Sequence, residues 1–95
     1  MDELHSKLQA ELDTVDWQAL RAQLRRDSVI HVAPELDLVE VAWCVATDRS
    51  TEVAGWVAAG QLRKPGQEEL NAWERQPEKP FRVLIVAPYV LIQKV

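Results

Sequence analysis

The stretch FRVLIVAPYVLIQKV, residues 81–95, decides how this chain is read. Val83, Leu84, Ile85, Val86 and Ala87 form a continuous apolar run, the pattern of a strand covered on both faces. Pro88 and Tyr89 interrupt it, and a second run follows over 90–92. A two-residue hairpin centred on Pro88 and Tyr89 is disfavoured. Such turns want a positive φ at their first central residue, and proline fixes φ near −65°. The segment therefore predicts one long strand, bent or bulged at Pro88. At ~3.3 Å per residue it would reach roughly 50 Å. A body of this size has a diameter nearer ~32 Å. Either the strand bends sharply, or residues 89–95 leave the body and find a partner.

Working outward, Val29, Ile30 and Val32 place a strand over 28–33, ended by Pro34. These two strands predict an α+β fold: a small sheet from 28–33 and 81–93, covered by about five short helices. A short extended piece near Leu62 is a candidate edge strand. Leu4, Leu8, Leu12 and Val15 mark a first amphipathic helix. Asp16 is a good N-cap for a second, with Val15 placed to pack on Leu20. Trp17, Leu20 and Leu24 form its apolar stripe, and Arg21, Arg25 and Arg26 lie outside it. Asp37 followed by Glu40 opens an apolar stretch over 38–46 whose period fits helix or strand. The cap and the alanine content favour helix. Being apolar almost all round, that helix should be buried on more than one side. After a turn at 48–50, a further helix presents Val53, Trp56 and Val57, with Gly60 at the position that ends it. Residues 67–75 form a last short helix carrying Leu70 and Trp73, stopped by Pro77.

The 95 residues fit one domain, 1–95. The formal net charge is −4, which argues against nonspecific binding to nucleic acid or anionic membrane. With Cys44 as the sole cysteine there is no internal disulfide, a composition that suits a reducing compartment. The polar N-terminal residues are no signal peptide, and no apolar run approaches the ~20 residues that span a bilayer. The expectation is a cytoplasmic protein.

The stretches HVAPELDLVEVAW, GWVAAGQLRKP and FRVLIVAPYVLIQ, in this order, resemble a small bacterial family catalogued as domain of unknown function 2288. The likeness runs from about Trp17 to Gln93. It implies a bacterial, single-domain protein of about this length. It brings no activity, ligand or catalytic residue with it.

No cofactor or metal motif is present. His31, Glu35, Asp37 and Glu40 lie close together in sequence, yet their spacing matches no helical ligand pattern. Their plainer role is structural: Asp37 and Glu40 cap a helix, Glu35 is solvated, and His31 is a strand residue. Cys44, inside an apolar run, reads as an inert buried thiol. Gly55, Gly60 and Gly66 form no phosphate-binding loop. The two helices around 48–50 have helix-turn-helix proportions, but the second offers Thr51, Glu52 and apolar or small residues where a DNA reader needs basic or amide side chains. Nothing here equips an enzyme.

Four tryptophans, Trp17, Trp43, Trp56 and Trp73, each fall on a different predicted helix. Core filling is their plain role. Trp43 points away from the Leu38, Val41 and Val45 stripe and is the candidate interface anchor. The expected function is a small protein-interaction module, homodimeric through the C-terminal strand by strand addition, with Trp43, Tyr89, Val90, Leu91 and Ile92 at the interface. The alternative is a small-molecule-binding regulatory domain, its pocket between helices and sheet lined by Tyr89, Trp73, His31 and Arg82. An enzyme using His31 with Glu35 or Asp37 ranks last.

Overall fold

The structure, a computed structural model, describes residues 3–23 and 28–95. In chain order its elements are α1 (Glu3–Glu11), β1 (Asp13–Asp16), α2 (Trp17–Gln23), β2 (Val29–Val32), α3 (Leu38–Ala46), α4 (Ser50–Ala58), β3 (Leu62–Arg63), α5 (Gln67–Glu74), β4 (Pro80–Val86) and β5 (Tyr89–Lys94). The fold is α+β. The five strands form one mixed sheet in the order β1-β4-β5-β2-β3. β2 runs parallel to β5, and every other pairing is antiparallel.

Side chains alternate across a strand, so each strand feeds both faces of the sheet. Leu84, Leu91 and Val32 point to one face, where they pack with Leu8 of α1 and with Leu38, Val39, Val41 and Ala42 of α3. Phe81, Val83 and Ile92 point to the other, against Trp17 and Leu20 of α2 and Trp73 of α5. The sheet is therefore covered by α1, α3 and α4 on one side and by α2 and α5 on the other.

The C-terminal stretch differs from the bent single strand that its sequence suggests. β4 and β5 are a hairpin, closed by the pairs Ile85–Val90 and Val86–Tyr89. The central turn residues are Ala87 and Pro88, joined by a cis peptide bond. The objection to proline applied to a turn centred one residue later. Here proline holds the second central position, where no positive φ is asked of it. The run doubles back, and the chain fits within 39 × 29 × 23 Å.

The N-terminal reading needs a second correction. The helical spacing of Leu4, Leu8 and Leu12 is real, but the helix ends at Glu11, and Val15 belongs to β1. Val15 faces the α2 side of the sheet whereas the three leucines pack on the α3 side. The Asp16 cap holds: its carboxylate accepts the Ala19 N–H at 2.8 Å, and Val15 packs in the same cluster as Leu20. Leu24, Arg25 and Arg26 lie outside the described residues.

For residues 38–46 the cap decides in favour of helix. The Asp37 carboxylate accepts the Val39 N–H at 3.0 Å and the Glu40 N–H at 3.3 Å. α3 buries Leu38, Val39, Val41, Ala42 and Cys44, which span more than one of its sides. Gly60 ends α4 with φ +76°, a conformation that costs glycine nothing. Among the described residues, no helix is long and apolar enough to cross a membrane.

Candidate functional site: an apolar groove beneath α4

α4 is set apart by what it does not bury. Its sequence, STEVAGWVA, is apolar on average, yet none of its residues is buried. Val53 and Trp56 are half-buried, and Val57 is 55% exposed. The reason lies in side-chain size. Val53 and Trp56 reach the core, but the alanines and Gly55 beside them are too small to fill the rest of the gap between helix and sheet. Arg49, at the helix N-cap, makes no side-chain cap hydrogen bond.

A groove of about 370 Å3 remains beneath the helix. Ile30 of β2, Leu62 of β3 and Leu91 of β5 come from the sheet; Val45 of α3 and Val53 and Val57 of α4 form the opposite side. Tyr89, at the start of β5, and Arg63 and Lys64, at the end of β3, complete the lining. This volume lies within the range of about 300–1,000 Å3 usual for small-molecule sites, and the mostly apolar lining with a few polar groups is their usual chemistry. An adjoining hollow of about 310 Å3 shares Val45, Val53 and Tyr89 and is bordered by Asp48 and Arg49.

The Arg63 side chain points away from the groove, to the α5 face of the sheet, as does that of its pairing partner His31. Glu69 of α5 accepts two hydrogen bonds from its guanidinium, one at 2.8 Å. Glu69 also reaches back to accept the Gly66 N–H at 3.2 Å. The guanidinium, together with that N–H, holds the Glu69 carboxyl down to about 2. Lys64 makes no ion pair among the described residues.

The residues singled out from sequence are dispersed. His31 is buried on the α5 side, its ring 5.8 Å from Trp73 and nearly parallel to it. Its Nε2 has no hydrogen-bond partner among the described residues. Burial, with help from Arg63, pushes its pKa below the ordinary value. Asp37 and Glu40 sit on the α3 side, so the sheet separates them from His31. Asp37 is occupied as a cap, and Glu40 accepts a hydrogen bond from His5 at 3.0 Å if that nitrogen carries the proton. Glu35 is exposed, and its carboxylate accepts a hydrogen bond from Gln61 at 3.2 Å. Cys44 is buried, and burial beside Glu40 and Glu52 raises its thiol pKa. Among the described residues no three His, Cys, Asp or Glu side chains gather as a metal site.

The C-terminal strand cannot serve as a docking edge as first read. β5 lies inside the sheet, paired to β4 on one side and to β2 on the other, so its backbone groups are already used. Leu91 and Ile92 are buried, and Val90 is half-buried. Tyr89 remains on the surface, 42% exposed. Trp43 is half-buried: the His5 ring stacks on it at 4.7 Å, and the Arg49 guanidinium sits 4.5 Å over it. Of the four residues expected to line a pocket, Tyr89 alone lines the groove. Trp73 and His31 are on the opposite face, and Arg82 borders a polar cleft beside the 34–39 segment. Sequence reasoning missed Val53 and Val57 as site residues. Their signal was a helix whose apolar face, apart from Trp56, is built of valine, alanine and glycine.

A family model described as "Protein of unknown function (DUF2288)" matches residues 3–94. The NMR solution structure of PA1075 from Pseudomonas aeruginosa is similar, with 35% identity and a TM-score of 0.78 over 99% of this chain and 86% of that one. No curated protein matches.

Proposed function

We propose, for a chain that belongs to the DUF2288 family of proteins of unknown function, that it is a binding module whose ligand lies in the groove beneath α4. One observation carries this reading: an apolar helix that buries none of its residues roofs an apolar cleft of ligand size. Helices in small folds gain most of their stability from packing an apolar face. A helix left under-packed has surface in reserve for something else to cover. The lining residues are suited to holding an apolar body rather than to moving protons. As its setting we propose the bacterial cytoplasm, in keeping with a lone, buried cysteine.

Octanol is a suitable apolar probe. In two-dimensional amide NMR of the labelled protein, octanol should shift the amides of Val53, Val57, Tyr89 and Leu91. Val53→Phe, which fills part of the groove, should abolish those shifts while leaving the rest of the spectrum dispersed. Shifts absent at saturating octanol, or confined to the α2 and α5 side, would refute the reading.

A second reading keeps the protein-interaction module and moves its surface. The exposure of Val57 and Tyr89 at the mouth of the groove favours an apolar side chain from a partner, or from a second copy, as occupant. Light scattering behind a sizing column tests the homodimer: a concentration-dependent dimer that Val57→Glu dissolves supports it, and a strict monomer removes it.

A further inference from the structure

We infer that the ligand of this groove is a single-chain amphipathic carboxylate, its alkyl chain along Ile30, Val53, Leu62 and Leu91 and its anionic head at Lys64. This rests on the groove reading above and adds the chemistry of the occupant.

The groove is open on one side, so its ligand must present one end to water. The charges around it say which kind of end. The whole chain has 15 acidic and 11 basic residues, yet the two charged residues lining the groove, Arg63 and Lys64, are both cationic. They are not equivalent. The Arg63 guanidinium points to the opposite face of the sheet, where Glu69 neutralises it through two hydrogen bonds, whereas Lys64 is on the groove side and makes no ion pair among the described residues. Among the described residues, one uncompensated positive charge therefore stands at the β3 end of an apolar cleft, where low-dielectric walls strengthen its field. The other end, towards the α3–α4 turn, carries Asp48 and Arg49, whose charges oppose each other. The polarity of the site thus sets an orientation: head at Lys64, tail towards Val45. A single ammonium suits a carboxylate with one negative charge.

The test compares octanoate, octanol and octylammonium, which share a tail and differ in head. Each is titrated into the full chain at neutral pH and followed by the amide shifts of α4. Octanoate should bind tighter than octanol by about 1.4- to 5-fold, the strength of a partly exposed ion pair. Octylammonium should be weakest. Lengthening the carboxylate should tighten binding about fourfold per methylene until the groove is full. Lys64→Gln should bring octanoate down to octanol, and Lys64→Glu should place octylammonium above octanoate. Lys64 is exposed, so both variants should fold. Equal binding of octanoate and octanol to the unaltered protein would overturn the inference and leave the groove standing. So would an order that Lys64→Glu does not change. If none of the three compounds shifts the α4 amides, the groove reading falls and this inference with it.

Discussion

Replacing His31 with phenylalanine should remove a specific pH dependence of stability. His31 is 6% exposed, stacks on Trp73 and leaves its Nε2 without a partner among the described residues. Burial is the largest cause of its lowered pKa; Arg63 and Lys94 lower it further, and Glu69 opposes them. The sign follows from proton binding. Below the ordinary value of 6.5 the unfolded chain takes up a proton that the folded chain still refuses. Folding is therefore penalised as pH falls from 6.5 towards the depressed folded value, and stability rises with pH across that window. One proton limits the slope to about 1.4 kcal/mol per pH unit. Phenylalanine keeps a ring against Trp73 and titrates nowhere. It also removes an orphaned polar atom, worth about 1–3 kcal/mol, against an overpacking cost of similar size. At neutral pH the two proteins should thus differ by less than about 2 kcal/mol. The assay is urea unfolding followed by tryptophan fluorescence at several pH values between about 5 and 8. The difference between the proteins should be flat at the alkaline end and should grow in the variant's favour below 6.5. Taking the difference cancels every other group, and Glu69, at about 2, titrates well below the window. Parallel stability curves would refute the reasoning.

Phe81→Ala should be the most damaging single truncation of the aromatic cluster. Phe81 has no exposed surface, and its ring lies 5.0 Å from that of Trp73 and 5.9 Å from that of Trp17. The expected loss is about 3–5 kcal/mol in urea unfolding, a large share of the roughly 5–14 kcal/mol available to a chain of this length; a loss below about 1 kcal/mol would contradict the packing described. Asp37→Ala removes the acceptor for two α3 N–H groups and should cost about 0.5–2 kcal/mol, with Asp37→Asn recovering most of it in the same assay. Deleting residues 91–95 takes out the core of an interior strand, so the product should show no cooperative unfolding and a collapsed amide spectrum; a well-dispersed, folded monomer would count against the sheet order.

The parts of the fold legible beforehand were those with short-range causes. Asp37 could be read as a cap because its carboxylate bonds N–H groups two and three residues on. Gly60 could be read as a helix end because the positive φ is its own. The segment at Leu62 could be read as an edge strand, though its partner on β2 is thirty residues back in the chain at Val32. The misreadings occurred where two local signals overlapped. Val15 sits in helical phase with Leu12, and only its pairing with Phe81 makes it a strand residue. The turn at Ala87 and Pro88 differs from the rejected one by a single residue, and that shift turns one long strand into a hairpin.

The candidate site was legible in its residue types but not as a place. Tyr89 was named, and Val53 and Val57 were recognised as one helix face, but nothing joined them. Caps, periods and turns act between residues a few positions apart, so the amino-acid order alone determined the five helices, the strand at 29–32 and the α+β class. The groove is a volume left over when side chains from β2, β3, β5, α3 and α4 fail to meet. Its charge depends on Arg63 turning to Glu69 of α5 on the other face of the sheet, with Lys64 left on the groove side. Both are differences between distant parts of the chain, and only the folded arrangement brings those parts to one point where the difference exists.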